Sequence, residues 1–185
     1  MHISRRGLLV AGAALALAPT AAGADPVGDD DLAWLRLLTG AELLGADFYA
    51  SAIAAHELGA KHLKDALAGT KQSYTLLAGL LTGAGATPAS ADDFDFAYPR
   101  GAFATGGSIA KLAVAHESTF LGASLGAVDA TQSPALKGPL ARLAAAHAQH
   151  LAVFKQLLGG HPLRPAYPGG LSLDRASALL DPYAA

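Results

Sequence analysis

The sequence predicts an all-α fold, a four-helix bundle whose second and third helices are joined by one long crossover. Three observations carry this expectation. Between Asp29 and Gly160 the apolar residues recur three or four positions apart, the period of a helix buried on one face, and no alternating β-branched run competes with it. The breaks between these stripes are short, long and short, and the long one, about 22 residues, far exceeds the usual 2 to 8 of a bundle turn. Finally, Glu42, His116, His147 and His150 fall on or beside the apolar stripes of different helices. An unpaired polar group in such a position costs on the order of 2 to 7 kcal/mol, so these side chains are expected to meet, on a metal ion or on one another.

Taken in order, residues 1–24 read as an export signal. Ser4-Arg5-Arg6-Gly7-Leu8-Leu9 resembles a twin-arginine signal, Leu8 to Ala18 forms an apolar segment too short to span a bilayer, and Ala22-Gly23-Ala24 offers a small-residue cleavage site. Asp29-Asp30-Asp31 then opens a first helix that runs to about Glu57 and aligns Leu35, Leu38, Glu42, Tyr49, Ile53 and His56. After a break at Leu58-Gly59-Ala60, a second helix presents Leu63, Leu67, Thr70, Tyr74, Leu77 and Leu81 and stops at Gly83-Ala84-Gly85. The crossover to Gly107 is rich in Pro, Gly, Asp and aromatic residues, and turn chemistry accounts for Asp92, Asp93 and Asp95. The third helix, from about Ser108 to Val128, aligns Ile109, Leu112, Ala113, His116 and Phe120. Gly138-Pro139 is expected to precede a fourth helix that carries Leu140, Leu143, His147, His150, Leu151 and Phe154 up to Gly159-Gly160. The bundle is thus placed at residues 25–160, and residues 161–185 form a Pro-rich tail with one short helix around Leu173 to Leu180.

Composition narrows the chemistry. At 185 residues, 52% hydrophobic and 15% charged, the chain can bury one substantial core. Removing Arg5 and Arg6 with the signal leaves 11 basic against 15 acidic residues, which offers no basic face to nucleic acid and leaves no stable membrane anchor after processing. The absence of cysteine rules out disulfide staples and thiolate chemistry, and the single methionine, Met1, rules out thioether copper sites.

Three stretches carry a family resemblance. Ala41-Glu42-Leu43-Leu44-Gly45-Ala46-Asp47-Phe48-Tyr49, Asp93-Phe94-Asp95-Phe96 followed by Gly101-Ala102-Phe103, and His147-Ala148-Gln149-His150 leading into Leu157-Leu158-Gly159 resemble, in that order, the exported ferritin-like proteins that include the desiccation-related proteins. The resemblance implies a ferritin-like bundle in which di-iron members take one glutamate and one Glu-x-x-His motif from each half. This chain departs from that pattern. Lys71-Gln72-Ser73-Tyr74 stands where the second helix would supply Glu-x-x-His, His147 replaces the fourth-helix glutamate, and the third helix aligns either Glu117 or Val114 with the ligand position. Glu42 and Glu117 are too few carboxylates to neutralise two irons. The expected ligands are therefore Glu42, His147 and His150 with either His116 or Glu117, around one divalent ion of iron, zinc or copper. The leading reading is an exported metal-binding or stress-associated protein without di-iron turnover. A remodelled iron-dependent oxidase and a metal-free structural or interaction module, with a polar network in its core, are the alternatives, and a homo-oligomer is compatible with each.

Overall fold

Asp29, Asp30 and Asp31 form the first turn of α1 (Asp29–Ala55), where their charges face the positive end of its dipole. Asp31 does more than start a helix. Its side chain is buried and accepts the backbone N–H groups of Gln132 and Ser133, both at 2.9 Å, tying the start of α1 to the distant turn before the fourth helix. The computed structural model describes residues 27–55, 60–165 and 168–184. The expected export signal and His56 lie outside the described residues.

Helices α2 (Ala60–Gly83), α3 (Gly106–Ala130) and α4 (Pro134–Leu157) complete the bundle, and α5 (Leu173–Leu180) follows in the tail. Strands are absent among the described residues; one isolated antiparallel bridge joins Phe96 of the crossover to Ala184. Packing fixes the directions of the helices. Leu35 and Leu38, early in α1, share a core with Leu77 and Leu81, late in α2, and with Ala123 and Ala127, late in α3. Tyr49 and Ala52, late in α1, share another with Leu63, Ile109 and Ala113, which open α2 and α3. Helix α1 is therefore antiparallel to both α2 and α3, so α2 and α3 run parallel, and the chain must travel the length of the bundle between them. The long crossover makes that journey, as the connection lengths predict.

Helix α3 starts two residues before the expected Ser108, because Thr105 caps it: the Thr105 hydroxyl accepts the Ser108 N–H at 3.0 Å and the Ser108 hydroxyl accepts the Thr105 N–H at 3.0 Å. Helix α4 corrects the sequence reading more substantially. It begins at Pro134, not after Gly138-Pro139. Pro134 occupies the first turn, where its missing N–H costs nothing, and Leu136 and Leu140, both buried one turn apart, hold the helix through Pro139.

The tail is part of the core. Ala176, Ser177 and Leu180 of α5 are buried, and the strand of chain before α5 lies directly on α3, where the Leu171 N–H donates to the Gly122 carbonyl at 2.8 Å. A Cβ at Gly126 would stand 1.8 Å from the Leu171 carbonyl oxygen, so only glycine admits this crossing. With the tail and crossover on its outer side, α1 is buried almost all round.

Candidate metal centre

Helices α1, α3 and α4 aim four ionisable side chains at one point midway along the bundle. Glu42 of α1, Glu117 of α3 and His147 of α4 are almost fully buried, and His150, one turn beyond His147, is partly exposed. His147 lies between the two carboxylates, with Nδ1 2.8 Å from Glu117 Oε2 and Nε2 3.0 Å from Glu42 Oε1. His150 Nδ1 is 3.2 Å from Glu117 Oε1, which also accepts a short hydrogen bond from the Tyr49 hydroxyl. Tyr49 is itself buried, stacked on Phe154 at 5.8 Å. Glu42 Oε2 is buried and has no hydrogen-bond partner.

These contacts set the protonation states. Burial alone would lower the His147 pKa, but the charges of Glu42 and Glu117 outweigh it and raise it to about 10. Burial would raise Glu117, but the charge and hydrogen bonds of His147 and His150 hold it down at about 2. Glu42 is raised, chiefly by burial, with His147 opposing. Tyr49 is raised well above the usual range by burial and by Glu117, so it remains a donor. Each ring nitrogen of His147 thus faces a carboxyl oxygen, and these neighbours favour its protonated form. Linkage gives the signs: the His147 contribution to folding is complete below its ordinary 6.5 and fades as pH rises through about 10. The Glu117 contribution is complete above its ordinary 4.5 and fades as pH falls through about 2.

His116 does not join this group. It is buried in an aromatic cage, 4.9 Å from the Phe48 ring, 4.6 Å from Tyr183 and 5.7 Å from Phe120, and neither ring nitrogen has a hydrogen-bond partner. Burial lowers its pKa to about 4, so it is neutral. Of the two third-helix alignments, the geometry selects Glu117; Val114 is half-buried against other apolar residues. Adjacent residues on a helix point about 100° apart, and here both directions are covered, which a stripe drawn for one buried face does not anticipate.

Helix α2 supplies no ionisable group. Lys71 is exposed, and Tyr74 turns outward to donate to the Ala89 carbonyl at 2.9 Å. The register that faces the core is Ala66, Thr70 and Leu77, with Gly69 beside them. A Cβ at Gly69 would lie 3.1 Å from both Cε1 and Nε2 of His150, so the imidazole occupies the space a side chain would take. The second-helix alignment on Lys71 and Tyr74 is therefore displaced by one position, and the lysine brings no charge to the centre.

Three of the converging side chains form a group that could hold a metal ion. One ligand atom each from Glu117, His147 and His150 lies within 4.8 Å of the others, so the side chains would close in to reach the roughly 3.4 Å between ligand atoms of a tetrahedral ion with bonds of about 2.0 to 2.1 Å. The buried, unpartnered Glu42 Oε2 adds a donor at the edge of this group. Two divalent ions would exceed the charge of Glu42 and Glu117 in a pocket where α2 offers only Gly69 and Thr70.

Comparison with known proteins agrees with this architecture. Residues 30–160 match a family model described as a ferritin-like domain. None of the curated proteins matches the chain. Among solved structures, a hypothetical protein from Methanococcus jannaschii DSM 2661 superposes with a TM-score of 0.65 at 14% sequence identity, over 87% of this chain and 97% of that one. At that identity the likeness concerns the fold alone.

Proposed function

The chain belongs to the ferritin-like domain family, and we propose that within it this protein holds at most one divalent transition metal, iron, zinc or copper, and has no di-iron ferroxidase turnover. The observation that carries this reading is the meeting of Glu117, His147 and His150 around a space to which α2 contributes no charge. A bound divalent ion would supply the positive charge that protonated His147 supplies without it. The remaining residues hold the ligands in place. Tyr49 fixes one Glu117 oxygen, Phe120 packs 5.4 Å from the His147 ring, and Gly69 leaves His150 its position. Export from the cytoplasm, with cleavage before Asp25, belongs to the same proposal and is checked by the N-terminal residue of the exported chain.

The pH dependence of metal affinity tests this reading. His147 must release the proton it shares with a carboxylate before that nitrogen can take a cation. Because that proton is held up to about pH 10, apparent affinity should rise about tenfold per pH unit from neutrality upward, instead of levelling off above the ordinary histidine pKa of 6.5. Titration with chelator-buffered zinc at several values from about pH 6 to 9 measures the slope. A flat profile above neutrality would remove His147 from the ligand set.

Gly69→Ala separates the metal site from the fold. Alanine is favoured over glycine within a helix by up to about 1 kcal/mol. Its Cβ would meet His150 at 3.1 Å and push the imidazole away from Glu117. The variant should match or exceed the parent in thermal stability while binding zinc about tenfold more weakly. Unchanged affinity would show that His150 is not a ligand.

A further inference from the structure

Leu157, Leu158 and Leu163 are the large apolar side chains left open to solvent among the described residues, at 50%, 38% and 72% exposure. They stand on one knob. Helix α4 ends at Leu157, Gly159 takes a φ of 71°, and the Gly160 N–H returns to the Lys155 carbonyl at 2.9 Å. Lys155 Nζ donates to the Arg164 carbonyl at 2.7 Å, folding residues 159–164 back against the last turn of the helix. One turn earlier, Phe154 packs with Leu63 and Ile109, so the knob lies at the end of the bundle where α2 and α3 begin.

That end is basic. Lys64 and Lys111 in the opening turns of α2 and α3, with Lys155 and Arg164 on the knob, have no carboxylate partner among the described residues. In the same turns the described carboxylate is Asp65, which Lys61 holds at 2.7 Å. The opposite end carries Asp29, Asp30 and Asp31 at the start of α1 and Asp129 near the end of α3, with Lys137 in the first turn of α4 beside them. Four unpaired basic side chains thus stand at the same end as the exposed leucines, in a chain of net charge −2.

We propose that this end docks on the surface of an anionic phospholipid bilayer, the three leucines entering the interface and the lysine and arginine side chains meeting headgroup phosphates. Among the described residues no helix is long and apolar enough to cross a membrane, so the contact is peripheral. A lipid surface fits these features better than a second copy of the chain. Two knobs would set like charges together, and the acidic end that could neutralise a knob exposes no large apolar residue to receive the leucines.

The test uses the full chain carrying Leu163→Trp, with vesicles of phosphatidylcholine alone or mixed with phosphatidylglycerol. Trp34 is buried at 5% exposure, so the new indole reports the knob even if another segment also touches lipid. The proposal expects its emission to shift to the blue and to be quenched by brominated lipid with phosphatidylglycerol vesicles, and both effects to fade at high salt. Leu157→Ser with Leu158→Ser in the same background should weaken the response at least about tenfold. No shift on anionic vesicles, an equal shift on neutral ones, or a response unchanged by the serine pair overturns it. Association of the chain with itself through the knob, seen as a dimer that the serine pair dissolves without any vesicle response, also overturns it.

Discussion

Replacing Glu117 with alanine is expected to lower folding stability by about 3 to 5 kcal/mol and to abolish metal binding. Glu117 accepts hydrogen bonds from Tyr49, His147 and His150, and it is the nearer of the two carboxylates to the His147 imidazolium. Its removal leaves a buried cation with one acceptor and a buried phenol with none, the circumstance in which breaking a buried pair is most costly. For a chain of this size each kcal/mol is worth about 2 to 4 °C, so the metal-free melting temperature should fall on the order of 10 °C. Glu117→Gln, which keeps an acceptor for Tyr49, should lose less stability while still losing the metal. A melting temperature within about 2 °C of the parent for the alanine variant would mean that the network carries little of the fold.

Gly126→Ala should have the next largest effect, far from the centre. Its Cβ would lie 1.8 Å from the Leu171 carbonyl oxygen, and backbone on both sides leaves no flexible side chain to yield. The crossing chain must lift from α3, weakening the 2.8 Å bond from Leu171 to Gly122 and the burial of Ala176 and Leu180. Overpacking of this kind costs about 1 to 3 kcal/mol. Limited proteolysis should then cut first between Gly169 and Ser172, leaving residues 27–165 largely protected, and a thermal melt should show the loss. An unchanged melt with an uncut tail would show that the crossing has room to spare.

The bundle was legible because its evidence is local and repeated. Leu35, Leu38, Leu77, Leu81, Leu140 and Leu143 mark their stripes with strongly apolar side chains, and the length of the crossover reports the parallel run of α2 and α3. Three of the converging polar residues, Glu42, His147 and His150, were legible for the same reason, since each interrupts an otherwise apolar face. Where the reading slipped, the marker was weak or the covering element was remote. The inward face of α2 at mid-helix is Ala66, Gly69 and Thr70, too small to stand out, so the family motif aligns on the larger Lys71 and Tyr74 although Thr70 and Leu77 already lie on the stripe. His116 and Glu117 are neighbours in sequence and both buried, because the tail and crossover close over α3 from the side opposite the centre. Contacts from Tyr183 and Tyr98 to a histidine more than sixty positions away in one direction and nearly twenty in the other leave no periodic trace. Tyr49 was visible as a core residue, but its bond to Glu117 depends on the packing of α1 against α3. Pro139 misled by its usual meaning, which the burial of Leu136 and Leu140 overrides.

The proposed occupancy is at most one ion per chain, held by Glu117 with His147 and His150. Anaerobic titration of the purified full chain with ferrous iron, repeated with zinc, followed by exposure of the iron-loaded sample to oxygen, measures it most directly. At most a single site per chain is expected, lost when His147 and His150 are both replaced by alanine, with no rapid oxygen consumption. Two tightly bound irons per chain with fast oxygen uptake would overturn it, whereas no binding of any divalent transition metal would leave the core a metal-free polar network.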